Sequence, residues 1–256
     1  MRHTIGFLSD FGLDDSYVAE VKAVLLAHCP DAQILDITHL IPPQDVRWGA
    51  FNLWRAYSRF PEGALFLAVV DPGVGTKRRA LHVSVGPYQF FGPDNGILVW
   101  AARDCEKRFS RTLHAREIPV PPGVGPTFHA RDVFAPFLGR TLSGEAAPGH
   151  PVERLMGEPF PQPVRESTGE LAGEILGFDR FGNAVTNLPI GPGLEVRVEG
   201  SGEPLCPAAA YAALPEGKAG LIQGSHGLWE ISVRDGSARA LLGLERGRRV
   251  SGRLLL

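Results

Sequence analysis

The segment Ala64-Leu65-Phe66-Leu67-Ala68-Val69-Val70-Asp71-Pro72-Gly73-Val74-Gly75-Thr76-Lys77-Arg78-Arg79 is the one from which the fold follows. Its opening run, through Val70, is apolar at every position, the pattern of a strand buried on both faces of a sheet. The run stops at a carboxylate, a proline and two glycines, and two arginines follow. A charged side chain at the end of a buried strand, before a loop whose glycines let backbone approach a ligand, is how open α/β sheets build sites. A lone Asp-Pro-Gly is more simply a turn with a solvated basic edge, so the flanking segments decide between the two.

Upstream, residues 4–8 form a strand pattern that ends in Ser9-Asp10-Phe11-Gly12-Leu13-Asp14-Asp15. A helix beginning near Asp15 or Ser16 places Val18, Val21, Leu25 and Cys29 at helical spacing. Residues 33–37 are a second strand, and Pro42-Pro43 breaks the chain before a helix with Val46, Ala50, Leu53, Trp54 and Tyr57 in one stripe. Downstream, residues 80–85 and 88–91 are strands, and Gly92-Pro93-Asp94-Asn95-Gly96 turns into a helical segment at 97–102. A further helix is predicted over 132–142. This alternation predicts an α/β N-terminal domain with a largely parallel sheet over residues 1–150. Prolines 148, 151, 159, 161 and 163 and weak periodicity mark 151–168 as a linker. From 169 to 256 the helical pattern gives way to short apolar pieces at 171–178, 184–188, 194–198, 220–222, 228–233 and 250–256. Glycine and proline punctuate them, which predicts a smaller C-terminal β-barrel-like domain.

Composition narrows the function classes. Of 256 residues, 44% are hydrophobic and 21% charged, ordinary for a globular protein, and the formal net charge of −2 argues against nucleic acid as a partner. The N-terminal apolar run is too short for a signal peptide, and no stretch approaches the roughly 18 to 20 apolar residues of a membrane span. Cys29, Cys105 and Cys206 are widely spaced, with no Cys-x-x-Cys pair, as expected of reduced thiols in a cytoplasmic protein. The histidines lack metal-ligand spacing, so no metal is expected. Gly73-Val74-Gly75-Thr76-Lys77 lacks the spacing of a P-loop, and Gly123-Val124-Gly125 opens no dinucleotide-binding βαβ unit.

Several polar residues are placed for chemistry. Asp10, at the end of the first strand, matches Asp71 in topological position, and one carboxylate can accept both hydroxyls of a ribose. The competing use for Asp10, Asp14 or Asp15 is to cap the following helix. His129, in Thr127-Phe128-His129-Ala130-Arg131-Asp132, is either a cap or surface residue or, beside a sheet-end carboxylate, a charge-stabilised proton relay. Phe178-Asp179-Arg180-Phe181-Gly182-Asn183 is first of all a hairpin turn, yet it offers a carboxylate, an aromatic ring and an amide suited to a purine edge. Gly224-Ser225-His226-Gly227 is likewise a turn or a backbone-rich anion contact.

Taken in order, Ser9-Asp10-Phe11-Gly12, Asp36-Ile37-Thr38-His39 with Ile41-Pro42-Pro43-Gln44-Asp45, Val70-Asp71-Pro72-Gly73-Val74-Gly75-Thr76, Gly92-Pro93-Asp94-Asn95-Gly96, Phe128-His129-Ala130-Arg131-Asp132 and 179–187 span most of the chain. In that set the chain resembles the S-adenosyl-L-methionine hydroxide adenosyltransferases, relatives of the fluorinase and chlorinase that use the same substrate. The resemblance implies a homotrimer of two-domain protomers, with each site between the N-terminal domain of one subunit and the C-terminal domain of the next. It implies attack of a water-derived hydroxide on ribose C5′ of S-adenosylmethionine, with no cofactor. By position, Asp71, Arg78 and His129 would hold and activate the water; spacing from Asp71 favours Arg78 over its neighbour Arg79, which is left as a spare. Arg78 would stabilise the hydroxide while Asp71 and His129 orient the water and take its proton. Asp10 would take the ribose diol, Asn183 the adenine with Phe181 beside it, Asp15 and Asp179 the methionine ammonium, and Ser225 with His226 the methionine carboxylate. His226 departs from the halogenating relatives, which carry Arg there, so backbone N–H groups compete for that contact. A halogenase is the nearest rival, opposed by the repulsion between a halide and Asp71. A non-catalytic S-adenosylmethionine- or nucleoside-binding module would use Asp10 and Asn183 without needing the Asp, Arg and His combination.

Overall fold

The structure, a computed structural model, describes residues 3–144, 149–191, 194–200 and 203–254. Pro148 and the last two residues of the strand predicted at 250–256 lie outside the described residues. The chain divides into two compact units, Met1–Phe160 and Pro161–Leu256.

The first unit runs β1 (Thr4–Ser9), α1 (Tyr17–His28), β2 (Gln33–Thr38), α2 (Val46–Tyr57), β3 (Leu65–Val69), β4 (Ala80–Val85), β5 (Tyr88–Pro93), α3 (Val99–Phe109) and β6 (His114–Ile118). A π-helical turn (Ala130–Phe134) then leads into α4 (Ala135–Leu142), followed by β7 (Pro151–Val152). The strands form one sheet in the order β2-β1-β3-β5-β4-β6-β7. Strands β2, β1, β3 and β5 are parallel. Strands β4, β6 and β7 extend the sheet antiparallel, because the tight Gly86-Pro87 connection between β4 and β5 has no room for a crossover.

Strand β3 is buried along its whole length for the reason its sequence suggests. Leu65, Leu67 and Val69 share a core with Val21 and Leu25 of α1 and Phe137 and Leu138 of α4. On the other face Phe66 stacks on Phe90 at 5.1 Å and meets Tyr57 of α2 edge-on. Helices therefore cover both sides of the sheet. Helix α3 is longer than the apolar run at 97–102 predicts, because its second half exposes a polar face and buries Cys105 alone of its last five residues. Strand β6 has no counterpart among the expected elements: His114, Arg116 and Glu117 interrupt its apolar residues, and only Ala115 and Ile118 are buried.

The second unit holds β8 (Val164–Arg165), β9 (Leu171–Phe178), β10 (Ala184–Pro189), β11 (Leu194–Val198), β12 (Ala219–Gln223), β13 (Leu228–Val233), α5 (Ala238–Leu242) and β14 (Arg249–Leu254). Its antiparallel sheet runs β11-β14-β9-β10-β13-β12, with β8 on β9. Residues 205–208 join the two edges: Leu205 N–H donates to Val196 O at 2.7 Å, and Ala208 N–H to Leu221 O at 2.9 Å. That bridging segment makes the sheet a nearly closed barrel and leaves little exposed edge. Ile175, Leu188, Val196, Leu221 and Ile231 fill the interior. Helix α5 escapes sequence patterning because it is one turn and a half long; Ser237 caps it by accepting from Ala240 N–H. Among the described residues no helix is long and apolar enough to cross a membrane.

Candidate active site

Parallel neighbours end on the same edge of a sheet. The β1–β3 register pairs Ser9 with Val69, so Asp10 and Asp71 emerge on the same carboxyl edge, where open α/β sheets bind ligands. Asp10 Oδ2 accepts the Gln44 N–H at 2.8 Å. To make that bond Gln44 adopts φ 66°, a left-handed conformation uncommon for a residue with a side chain. The turn carrying Asp10 is held from beneath. Buried Ser9 bonds His39 Nδ1 at 2.7 Å and accepts Phe11 N–H, while Gly12 N–H donates to His39 O. Asp10 is not the cap of α1; that position is Ser16, whose hydroxyl donates to Glu20 at 2.6 Å.

Asp71 and Arg78 close their loop with a bidentate ion pair. Arg78 Nε lies 3.0 and 2.9 Å from the two carboxylate oxygens, and Nη2 lies 2.5 Å from Oδ2. The pair is enclosed, with side-chain exposures of 8% for Arg78 and 6% for Asp71. The loop between them packs tightly: a Cβ on Gly75, at φ +76°, would lie 2.5 Å from Pro126 O. Arg78 Nη2 also donates to His129 Nδ1 at 2.9 Å, and its guanidinium lies 5.5 Å from the Phe134 ring centre. His129 immediately precedes the π-helical turn and Phe134 ends it, so this turn aims both rings at Arg78.

This geometry corrects one expectation. His129 does not meet the carboxylate directly; Arg78 stands between them. Burial and the adjacent guanidinium push the His129 pKa below its ordinary value, more than Asp71 and Asp132 raise it. The ring is thus held neutral. Because a guanidinium can only donate, Nδ1 is the acceptor and the ring proton resides on Nε2.

Asp10, Phe11, Gln44, Asp71, Phe128 and His129 line one cleft of about 300 Å³. Phe11 and Phe128 meet edge-on at 5.7 Å, and Arg131 lies 4.8 Å over Phe128, held there by Glu20 and Asp132. Sequence patterns assign no task to Gln44, Phe11 or Phe128. The one available signal for Gln44 is the preceding Pro-Pro, which constrains the backbone locally. Asp15 is exposed and does not line the cleft. Arg79 is no spare: it pairs with buried Asp94 at 2.5 Å.

In the second unit, residues 179–183 form the turn between β9 and β10. Asp179 organises it, its Oδ1 accepting from the Phe181 and Asn183 N–H groups and its Oδ2 from Asn183 Nδ2, each at 2.9 Å. Asn183 is buried, whereas Phe181 is 75% exposed at the tip. In the 224–227 turn Ser225 is exposed but the His226 ring is turned inward, with no side-chain exposure. Its Nε2 pairs with Glu230 Oε1 at 2.9 Å, its Nδ1 accepts Leu228 N–H, and Glu230 in turn accepts the Tyr211 hydroxyl. Among the described residues, no three His, Cys, Asp or Glu side chains are gathered as a metal site.

Known proteins match both units of this chain. The family model for the SAM hydroxide adenosyltransferase N-terminal domain matches residues 5–149, and that for the C-terminal domain matches residues 173–251. The chain is 42% identical to a Thermus thermophilus protein named (R)-S-adenosyl-L-methionine hydrolase, over 94% of this chain and 96% of that one. A Nocardia brasiliensis fluorinase is 28% identical over 73% of this chain and 71% of its own. The crystal structure of an uncharacterized conserved protein from Thermotoga maritima superposes with a TM-score of 0.84 at 31% identity, covering 97% of this chain and 99% of that one. Both units are matched in order by one family's two domains, and the chain belongs to the SAM hydroxide adenosyltransferase family.

Proposed function

We propose that this chain hydrolyses S-adenosyl-L-methionine to adenosine and L-methionine. The observation that carries the reading is the enclosed Asp71–Arg78–His129 array at a cleft shared with Asp10. A water oxygen bonds to ribose C5′ as the C5′–S bond breaks, and the electron pair leaves with sulfur. The sulfonium departs as a neutral thioether, so the leaving group needs no acid. The demand falls on the nucleophile, since free water has a pKa of roughly 15.7. Arg78 has five N–H donors, and the two on Nη1 are not used toward Asp71 or His129. One of these and the His129 Nε2–H orient the water oxygen and stabilise hydroxide, leaving a lone pair for C5′, while Asp71 accepts the proton and passes it to solvent. Asp10 takes the ribose diol.

Halogenation fits this site less well. The Asp71 carboxylate repels a halide at the attacking position, and Arg78 is already paired with that carboxylate. A binding module would have no use for the Asp71, Arg78 and His129 combination, since Asp10 and Asn183 would serve binding without it. Incubation with S-adenosylmethionine in chloride buffer is expected to release adenosine and methionine in equal amounts. Formation of 5′-chloro-5′-deoxyadenosine, or decay no faster than without protein, would overturn the reading.

We further infer a cytoplasmic homotrimer in which the second unit of a neighbouring copy completes each cleft. Asn183 and Phe181 would then meet the adenine, Asp179 with Asp15 the ammonium, and Ser225 with backbone N–H groups of its turn the carboxylate. The exposed Phe181 ring supports a ligand or partner at that tip, and Cys29, Cys105 and Cys206 are free thiols, in keeping with a reducing compartment. Light scattering on the purified chain is expected to return three times the 27.6 kDa chain mass; a monomer mass would refute the assembly.

A further inference from the structure

The segment Gly92-Pro93-Asp94-Asn95-Gly96, which ends β5 and turns after it, contributes no residue to the cleft lining, yet it holds the loop that carries Asp71 and Arg78 by both ends. Sheet order explains how. Strand β5 lies between β3 and β4, so the loop from β3 to β4 must cross the end of β5, and the turn that follows β5 emerges beneath it. The approach is close: a Cβ on Gly92 would lie 2.3 Å from Ala68 O.

At one end, Asn95 Nδ2 donates to Val70 O at 2.8 Å, the carbonyl immediately before Asp71. The Asn95 amide cannot be reversed, because its Oδ1 accepts Ile97 N–H at 3.2 Å. At the other end, Asp94 Oδ2 accepts from Arg79 Nε at 2.8 Å and Nη2 at 2.5 Å, and Asp94 N–H donates to Arg79 O at 3.0 Å. Arg79 directly follows Arg78. Asp94 is itself anchored, its Oδ1 accepting Met156 N–H at 2.8 Å, while Arg79 Nη2 reaches Arg154 O.

We propose that Asp94 and Asn95 are positioning residues that set the separation and orientation of Asp71 and Arg78 for the attack on C5′. The inference rests on the hydrolase reading above for its kinetic consequence, but not for its structural one. Asp71 departs from a backbone pinned at residue 70, and Arg78 precedes a backbone pinned at residue 79. With both anchors on one rigid turn, the ion pair keeps its register while water and substrate exchange in the cleft. Asp10 hangs on a different strand and on Gln44, outside this clamp, so ground-state binding of the nucleoside does not depend on it.

The isosteric Asn95→Asp substitution tests this, because it sets a carboxylate oxygen against the Val70 carbonyl without changing volume. Loss of register by about an ångström is expected to lower kcat by about 100-fold while KM for S-adenosylmethionine stays within about twofold of wild type. Asp94→Asn, which keeps the Met156 contact and removes the charge facing Arg79, is expected to act in the same direction and serves if Asn95→Asp does not fold. The second readout needs no turnover. The Arg78 side-chain Nε–H signal in a nitrogen-15 spectrum, assigned by its loss in Arg78→Lys, is expected to be shifted and slow to exchange in wild type and to lose that protection in both variants. Folded variants with a wild-type Arg78 signal overturn the proposal, as do variants with wild-type kcat in an active enzyme. If wild type itself leaves S-adenosylmethionine intact, the hydrolase reading fails and the Arg78 signal alone decides the clamp.

Discussion

Asp71→Asn is expected to lower kcat for adenosine release by about 10³-fold, within the range that a positioned general base contributes. The amide has the shape of the carboxylate and still accepts one hydrogen bond from Arg78 Nε, so the loop keeps its course. What it loses is the site for the proton that water must shed. The uncompensated guanidinium then gains surplus positive charge, so the variant also provides a direct test of the argument against halide use. Steady-state kinetics with chloride present or absent measure both effects. A kcat close to wild type would remove Asp71 from the chemistry, and 5′-chlorinated product from the variant alone would show that its charge is what excludes the halide.

Arg78→Met has the larger expected effect, because it damages stability and activity together. Asp71 is 6% exposed and Arg78 is its bidentate partner. Removing one member of such an enclosed pair costs about 3–5 kcal/mol, since the remaining carboxylate is left largely enclosed without its counter-ion. For a unit of this size a fall in Tm of about 10 °C is expected, at about 2–4 °C per kcal/mol. Turnover should fall below detection, as the hydroxide loses its cation. The double variant Asp71→Asn/Arg78→Met separates the two losses: neutralising the orphaned carboxylate is expected to restore much of the Tm and none of the activity. Recovery of turnover in the double variant would mean that the pair is a structural strut and that catalysis lies elsewhere. Calorimetry and adenosine release on the same preparations decide between these.

Much of the fold is legible in the sequence, and for a local reason. Residues 64–70 are apolar without a break, the pattern of a strand covered on both faces, and the alternation of strands and helices around it supplies helices for both sides of a parallel sheet. The elements that escape notice are those with one exposed face. Strand β6 carries Arg116 and Glu117 among its apolar residues, and the second half of α3 is polar except at Cys105 and Phe109, so neither produces a continuous apolar run. The two-residue connection between β4 and β5 determines where the sheet turns antiparallel, a matter of chain length and not of composition.

The candidate site divides in the same way. Asp10 and Asp71 are visible as carboxylates ending apolar strands, because strand ends are a local property. Their being neighbours depends on β1 pairing with β3, and the neutral state of His129 depends on Arg78, 51 positions away in the chain, donating to Nδ1. Sequence alone offers His129 a carboxylate and a charged ring; tertiary packing interposes a guanidinium and gives it a neutral one. Likewise Arg79 looks redundant beside Arg78 until the end of β5 places Asp94 beneath it. The amino-acid sequence by itself determined which strands are buried, which of them end in acids, and which family the motifs resemble, since each of these is written in consecutive residues. Which charges neutralise one another, which histidine nitrogen carries the proton and which turn holds the reactive loop were decided only by the tertiary structure, because they depend on distances of about 3 Å between groups that no periodicity connects.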